Sequence, residues 1–243
     1  NSKGATAPHL LVMTATPIPR TAAMTWFGDL DISALTELPG GRKPIRTFVV
    51  PESNASLMSE MFALIRKRID AGELAYVVCP RIDDDSENAD DVLAESATSN
   101  SKTTGSPIPA FDEAYDLGED DEQRAQRPPL HSVAEIVERL QSLPQFKGIR
   151  FATLTGRDDD TTKSQVMADF EAGITPILVA TTVIEVGVDV AKASCIVIFD
   201  ADRYGLSQLH QLRGRVGRGG TDSGAFLISR APADSDAARR LDV

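Results

Sequence analysis

Cysteine is nearly missing from this 243-residue chain, and the two present, Cys79 and Cys195, each lie in a short apolar run. A disulfide scaffold is excluded, and both residues read as reduced core thiols. Histidine is as sparse: His9, His131 and His210 are scattered, which leaves no zinc spacing and no metal ligand set. No run of eighteen apolar residues occurs and no basic-then-apolar leader opens the chain, so neither a membrane span nor a secretion signal is expected, and the expected location is cytoplasmic. Also lacking is any Gly-x-x-x-x-Gly-Lys-Ser/Thr string, the loop that cradles α- and β-phosphates. A magnesium-holding carboxylate pair is lacking too. Asp112-Glu113-Ala114 has suitable residues, but Pro107 and Pro109 before it exclude the buried strand that such a box must end.

What is present is an ordinary globular composition, with 42% apolar residues and a net charge of −11. The charge is local. Residues 83–126 hold fourteen acidic side chains against Lys102 and Arg124, and the remaining 23 basic and 22 acidic residues balance to +1. Rich in Ser, Thr, Asp and Glu, the segment cannot offset its ordering entropy by burial and reads as a disordered insertion over residues 83–127. Elsewhere β-like apolar runs (10–14, 47–50, 75–79, 150–154, 177–180, 195–199 and 225–228) alternate with helical patterns. That alternation predicts an α/β fold, a parallel sheet with helices on both faces. Met58, Phe62, Ile65 and Ile69 make a helical stripe stopped by Gly72; Ser132-x-x-Glu135 opens a second helix that must end before Pro144; Thr162-x-x-Gln165 opens a third that stops at Gly173.

The first residues stand apart. One strand at 10–14, Thr16 as N-cap, Pro17 at the first helical position and a helix to Gly28 cannot make a core, and a Pro39 to Pro44 linker follows. Residues 1–44 therefore read as the tail of a preceding domain, 45–230 as the main domain, and 231–243 as the start of a truncated helical segment. The absence of an initiating Met fits that division.

In open α/β sheets ligands gather at the carboxyl ends of strands, and three polar clusters follow such ends. These are Thr14 to Thr21, which includes Thr16 and Arg20; Thr181-Thr182-Val183-Ile184-Glu185-Val186-Gly187-Val188-Asp189; and the segment leading to Gln211-Leu212-Arg213-Gly214-Arg215-Val216-Gly217-Arg218. Threonine hydroxyls and backbone N–H groups suit a nucleic-acid backbone without reading sequence, although taken singly Thr181 and Thr182 are ordinary strand-end hydrogen bonders. In the third cluster a helix running from Ser207 through Arg218 would set Gln211, Arg215 and Arg218 on one face, with Leu209, Leu212 and Val216 on the packed one. Gly214 and Gly217 weaken such a helix and point to a close approach of backbone or ligand. An arginine aimed at a γ-phosphate stabilises the transferring charge by about 4 to 7 kcal/mol, roughly 10³ to 10⁵ in rate.

The ordered set resembles motifs III, V and VI of superfamily 2 helicases, and the strings resemble the RecG family of DNA-repair helicases. The resemblance rests on Met13-Thr14-Ala15-Thr16-Pro17-Ile18-Pro19-Arg20-Thr21, Gly28-Asp29-Leu30-Asp31, Gly41-Arg42-Lys43-Pro44, Val78-Cys79-Pro80, and Gly205 through Gly219. The transcription-repair coupling factor is similar in motifs III and VI but typically has Tyr where this chain has His210. The resemblance implies the second RecA-like lobe of an ATP-dependent helicase that remodels stalled forks and Holliday junctions, preceded by a remnant of the first lobe. It implies that Thr14, Thr16 and Arg20 couple nucleotide to DNA, that Thr181 and Thr182 contact the DNA backbone, and that Gly187 and Asp189 lie at the nucleotide edge. Gln211, Arg215 and Arg218 would be catalytic, facing ATP and Mg2+ held mainly by the first lobe. Expected partners are branched or double-stranded DNA, and the first lobe and wedge domain of a monomeric parent. Two departures stand out: Thr155-Gly156 replaces a frequent His-Gly pair, and the acidic insertion is foreign to the pattern. A rival reading makes the chain a non-catalytic nucleic-acid or protein interaction module.

Overall fold

The computed structural model describes residues 43–81, 128–181, 190–232 and 234–241. The elements in chain order are β1 (Ile45–Pro51), α1 (Ala55–Asp70), β2 (Leu74–Val78), α2 (Val133–Ser142), a 3-10 turn (Pro144–Phe146), β3 (Phe151–Leu154), α3 (Asp160–Glu171), β4 (Ile177–Ala180), β5 (Ala193–Ile198), a second 3-10 turn (Ala201–Arg203), α4 (Leu206–Arg213), β6 (Ser223–Ser229) and α5 (Asp236–Leu241). The strands form one sheet in the order β1-β6-β5-β2-β4-β3, and every pairing is parallel. Parallel neighbours need crossovers, and α1 to α4 supply them.

Strands buried on both faces read as continuous apolar runs, and β2, β4, β5 and β6 are buried throughout. Their residues alternate between two cores. Tyr76, Val78, Leu178, Ala180, Ile196, Ile198 and Leu227 pack with Phe170 of α3, Leu209 and Leu212 of α4, and Leu241 of α5. Val77, Cys79, Val179, Val197 and Phe226 pack on the opposite face with Phe62 and Ile65 of α1 and Ile136 and Leu140 of α2. Alternation slips once, in β5 at Ser194, the extra residue of a bulge: Ala193 and Cys195 pair with the successive residues Leu74 and Ala75. Both thiols are fully buried, and burial raises both pKa values, that of Cys195 to about 11.

The predicted runs from 47 onward and the first two predicted helices are all present. Asn54 caps α1 through Leu57 N (3.1 Å), and Ser132 caps α2 through Glu135 N (3.1 Å). The third helix starts earlier than Thr162 suggests: Asp159 is its cap and accepts from Thr162 N–H at 2.7 Å. Aspartate outcompetes a threonine that its own side chain engages. The strand at 10–14, the helix and linker after it, and the acidic segment lie outside the described residues.

Candidate functional site

Helix α4 crosses one face of the sheet from its carboxyl edge to its amino edge. Seven residues separate it from the end of β5, and the chain after it returns to the first residues of three strands. Gly217 N–H donates to Ala193 O at the start of β5 (3.4 Å), and a Cβ on Gly217, whose φ is +79°, would stand 3.0 Å from Ile45 Cγ1 at the start of β1. A Cβ on Gly219 would fall 2.1 Å from Ala191 O, so only glycine lets these two backbones meet.

Two expectations are thereby corrected. The helix does not continue to Arg218; it ends at Arg213 with Gly214 as its C-cap, and a tight turn follows, in which Arg215 N donates to Leu212 O and Val216 N to Arg213 O. Two glycines within four residues, one with positive φ, cost too much helical stability for the run to propagate. The arginines also do not lie at the carboxyl edge with the threonines. Gln211 is half-buried on the last turn of α4, Arg215 half-buried and Arg218 exposed on the turn beyond, where Arg218 Nε donates to Gly214 O (3.0 Å). Leu209, Leu212 and Val216 are buried as the pattern required. The amino edge collects further cations: Lys43 pairs with Asp222 (3.1 Å), and Arg68 donates to Asp222 O and Glu73. The Lys43 ammonium holds the Asp222 carboxyl below its ordinary pKa.

Thr181 ends β4 on the opposite edge, buried, with its N–H donating to Leu154 O (3.2 Å). Next to it Thr155 donates through both N–H (2.6 Å) and Oγ1 (3.0 Å) to Asp158 Oδ2, which closes the loop after β3. Six strand residues separate the two edges by about 20 Å. Of the remaining sequence-derived site residues, Thr14, Thr16, Arg20, Thr182, Gly187 and Asp189 lie outside the described residues. Val190 and Ala191, which follow Asp189, abut the arginine turn at Gly219.

The sequence reading missed a charged cluster over the carboxyl ends of β1, β5 and β6. Asp200, 3% exposed, accepts through Oδ2 from His131 N–H (2.7 Å) and Nδ1 (2.9 Å), and through Oδ1 from Arg230 Nε (2.9 Å) and Nη2 (2.5 Å). His131 Nε2 lies 3.2 Å from Glu52 Oε1, which also takes Arg139. Burial disfavours a charged imidazole, but hydrogen bonds and charge from Asp200 and Glu52 outweigh it and lift the His131 pKa to about 9. Burial likewise opposes ionised Glu52 and Asp200, yet His131 with Arg139 brings Glu52 to about 2, and His131 with Arg230 lowers Asp200. Charged residues directly after three apolar strands, Glu52, Asp200 and Arg230, were the available signal. Among the described residues no group of His, Cys, Asp or Glu could hold a metal ion, and no helix is long and apolar enough to cross a membrane.

The helicase conserved C-terminal domain family matches residues 129–220. The chain is 42% identical to the ATP-dependent DNA helicase RecG of Mycobacterium tuberculosis over 96% of its own length and 27% of the relative's. It is 40% identical to that of Acidithiobacillus ferridurans over 99% of its length and 28% of the relative's. It thus spans about a quarter of the length of the curated relatives it matches. A solved structure of RecG bound to a three-way DNA junction superposes with a TM-score of 0.60 at 31% identity, covering 94% of this chain and 24% of that one.

Proposed function

Since the chain belongs to the RecG family and carries its C-terminal, RecA-like helicase lobe, we propose that it supplies the arginine half of an ATPase site whose phosphate cradle lies in another lobe of the parent protein. The observation that carries this reading is the seam between Gly219 and Ala191, which brings the Arg215 and Arg218 turn against the residues that directly follow Gly187 and Asp189. Gln211, Arg215 and Arg218 then face the triphosphate, with Arg215 and Arg218 stabilising charge on the transferring phosphoryl group. Magnesium belongs with that phosphate cradle.

Thr181, at the other edge, contacts the DNA backbone together with Thr182, and Thr14, Thr16 and Arg20 couple nucleotide to DNA. The parent is an ATP-dependent helicase or translocase acting on branched DNA, in the cytoplasm, as a monomer with its first lobe and wedge. A junction-bound RecG relative supports the DNA class.

The chain alone is expected to hydrolyse no ATP. Mixed with a separately produced first lobe and DNA, it restores magnesium-dependent hydrolysis, and Arg215→Ala lowers that rate by about 10³ or more. Hydrolysis by the chain alone that Arg215→Ala abolishes refutes the half-site reading. Salt-sensitive DNA binding indifferent to nucleotide, with no restored hydrolysis, favours the non-catalytic module.

A further inference from the structure

Asp200 is the only described non-glycine residue with a positive φ, at φ 50° and ψ 42°. A left-handed conformation costs an L-residue roughly 1–2 kcal/mol, and glycine would adopt it freely. Such a conformation persists where its surroundings over-determine it. Here they do so through the side chain: four donors from His131 and Arg230 saturate both carboxylate oxygens. The same two partners are themselves tied down, His131 by Glu52 and Arg230 by a hydrogen bond to Pro129 O (2.7 Å). Asp200 therefore joins the ends of β1, β5 and β6 to the residues leading into α2.

Directly after Asp200 the chain turns into α4. The intervening 3-10 turn is held by Asp202, which accepts from Ser229 Oγ (2.8 Å) through its carboxylate and from Arg240 Nη2 (3.2 Å) through its carbonyl. Gly205 N–H then donates to Gln208 Oε1 (3.2 Å) as the helix starts. Helix α4 is eight residues, about 12 Å long, and a tilt of about 10° at its base moves Gln211 and the turn beyond by about 2 Å. A misplacement near 1 Å costs up to about 10²-fold in rate at a reacting centre.

We propose that Asp200, gripped by His131 and Arg230, is a positioning residue that sets the direction of α4 and so the placement of Gln211, Arg215 and Arg218 against the phosphates. This rests on the nucleotide-facing reading of those three residues. The parent protein carrying each substitution is assayed for DNA-stimulated ATP hydrolysis, with competent sites counted by binding of a non-hydrolysable ATP analogue.

Asp200→Gly keeps the φ and removes the grip; it is expected to lower kcat per competent site by tenfold or more, with KM for ATP and DNA affinity within twofold of native. A role limited to packing would instead reduce the number of competent sites and leave turnover per site unchanged. Native turnover per site in Asp200→Gly, with Arg215→Ala inactive, overturns the positioning role alone. Hydrolysis that survives Arg215→Ala overturns the underlying reading. If Asp200→Gly does not fold, Arg230→Gln removes both guanidinium donors and His131→Gln the imidazole donor, leaving the backbone N–H of residue 131; each is expected to lower turnover per site three- to tenfold, and native turnover in both overturns the proposal.

Discussion

At neutral pH the His131 imidazole is protonated between two carboxylates, with Glu135 Oε1 a further 3.9 Å away and the Phe199 ring stacked obliquely at 5.2 Å. Its folded pKa of about 9 stands above the ordinary 6.5, so its contribution to stability is complete below about pH 6.5 and disappears as pH rises through 9. Glu52 has the opposite sign: held at about 2 against an ordinary 4.5, it contributes fully above pH 4.5 and loses that contribution as pH falls toward 2. Removing one partner of a buried charge pair costs on the order of 3–5 kcal/mol. His131→Gln is therefore expected to lower the urea midpoint of the chain at pH 7, and the deficit should shrink when both proteins are unfolded at pH 9.5. This residue was hard to read in sequence. A lone histidine eight residues past Gln123 in a polar stretch carries no periodicity, and its partners come from positions 52, 135 and 200.

Helices and strands were legible where a single period decided them. The stripe from Met58 to Ile69 and the unbroken apolar runs of β2, β4 and β5 each offer one burial solution, and the chain adopts it. Element ends were less legible because neighbouring groups compete for the same role, as Asp159 and Thr162 do at the start of α3. The largest departure, α4, has a physical reason of the same kind: Gln211, Arg215 and Arg218 fit a helical face, but Gly217 and Gly219 are committed to contacts with β1, β5 and Ala191 that no helix could make. The side chains of the candidate site were thus found by type and spacing, while the edge of the sheet on which they lie was not. Gly219→Ala tests the seam directly. Its Cβ would overlap Ala191 O, so a destabilisation of about 1–3 kcal/mol is expected in urea unfolding, together with a local shift in the amide resonances of Val190 to Ala193. No loss at Gly219→Ala would mean that the two backbones are further apart than described.

On the scale of the molecule, the sheet has a fully buried middle, flanked by β1 and β3 with exposed residues on each. Protection from hydrogen exchange should follow that order: amides of β2, β4 and β5 open only with the whole lobe, while those of β1 and β3 open sooner. Uniform exchange across all six strands would contradict it. Charge divides in the same way, since an acidic stretch of −12 is joined to a body near neutrality. The parallel fold class was legible because such a sheet, covered on both sides, leaves its strands uniformly apolar; the strand order was not, because no local pattern records which strands meet.

That order has a temporal side. The first described strand finds its only described neighbour in the last one, and Glu52 reaches Arg230 across 178 positions. During synthesis β1 must therefore leave the ribosome and wait for nearly the whole lobe before it can be paired. Until then Phe48, which stacks on Phe226 in the finished sheet, has no aromatic partner to meet. The closing of β1 onto β6 is the natural last event of folding, and the ionic cluster around Asp200 is the fastening that it completes.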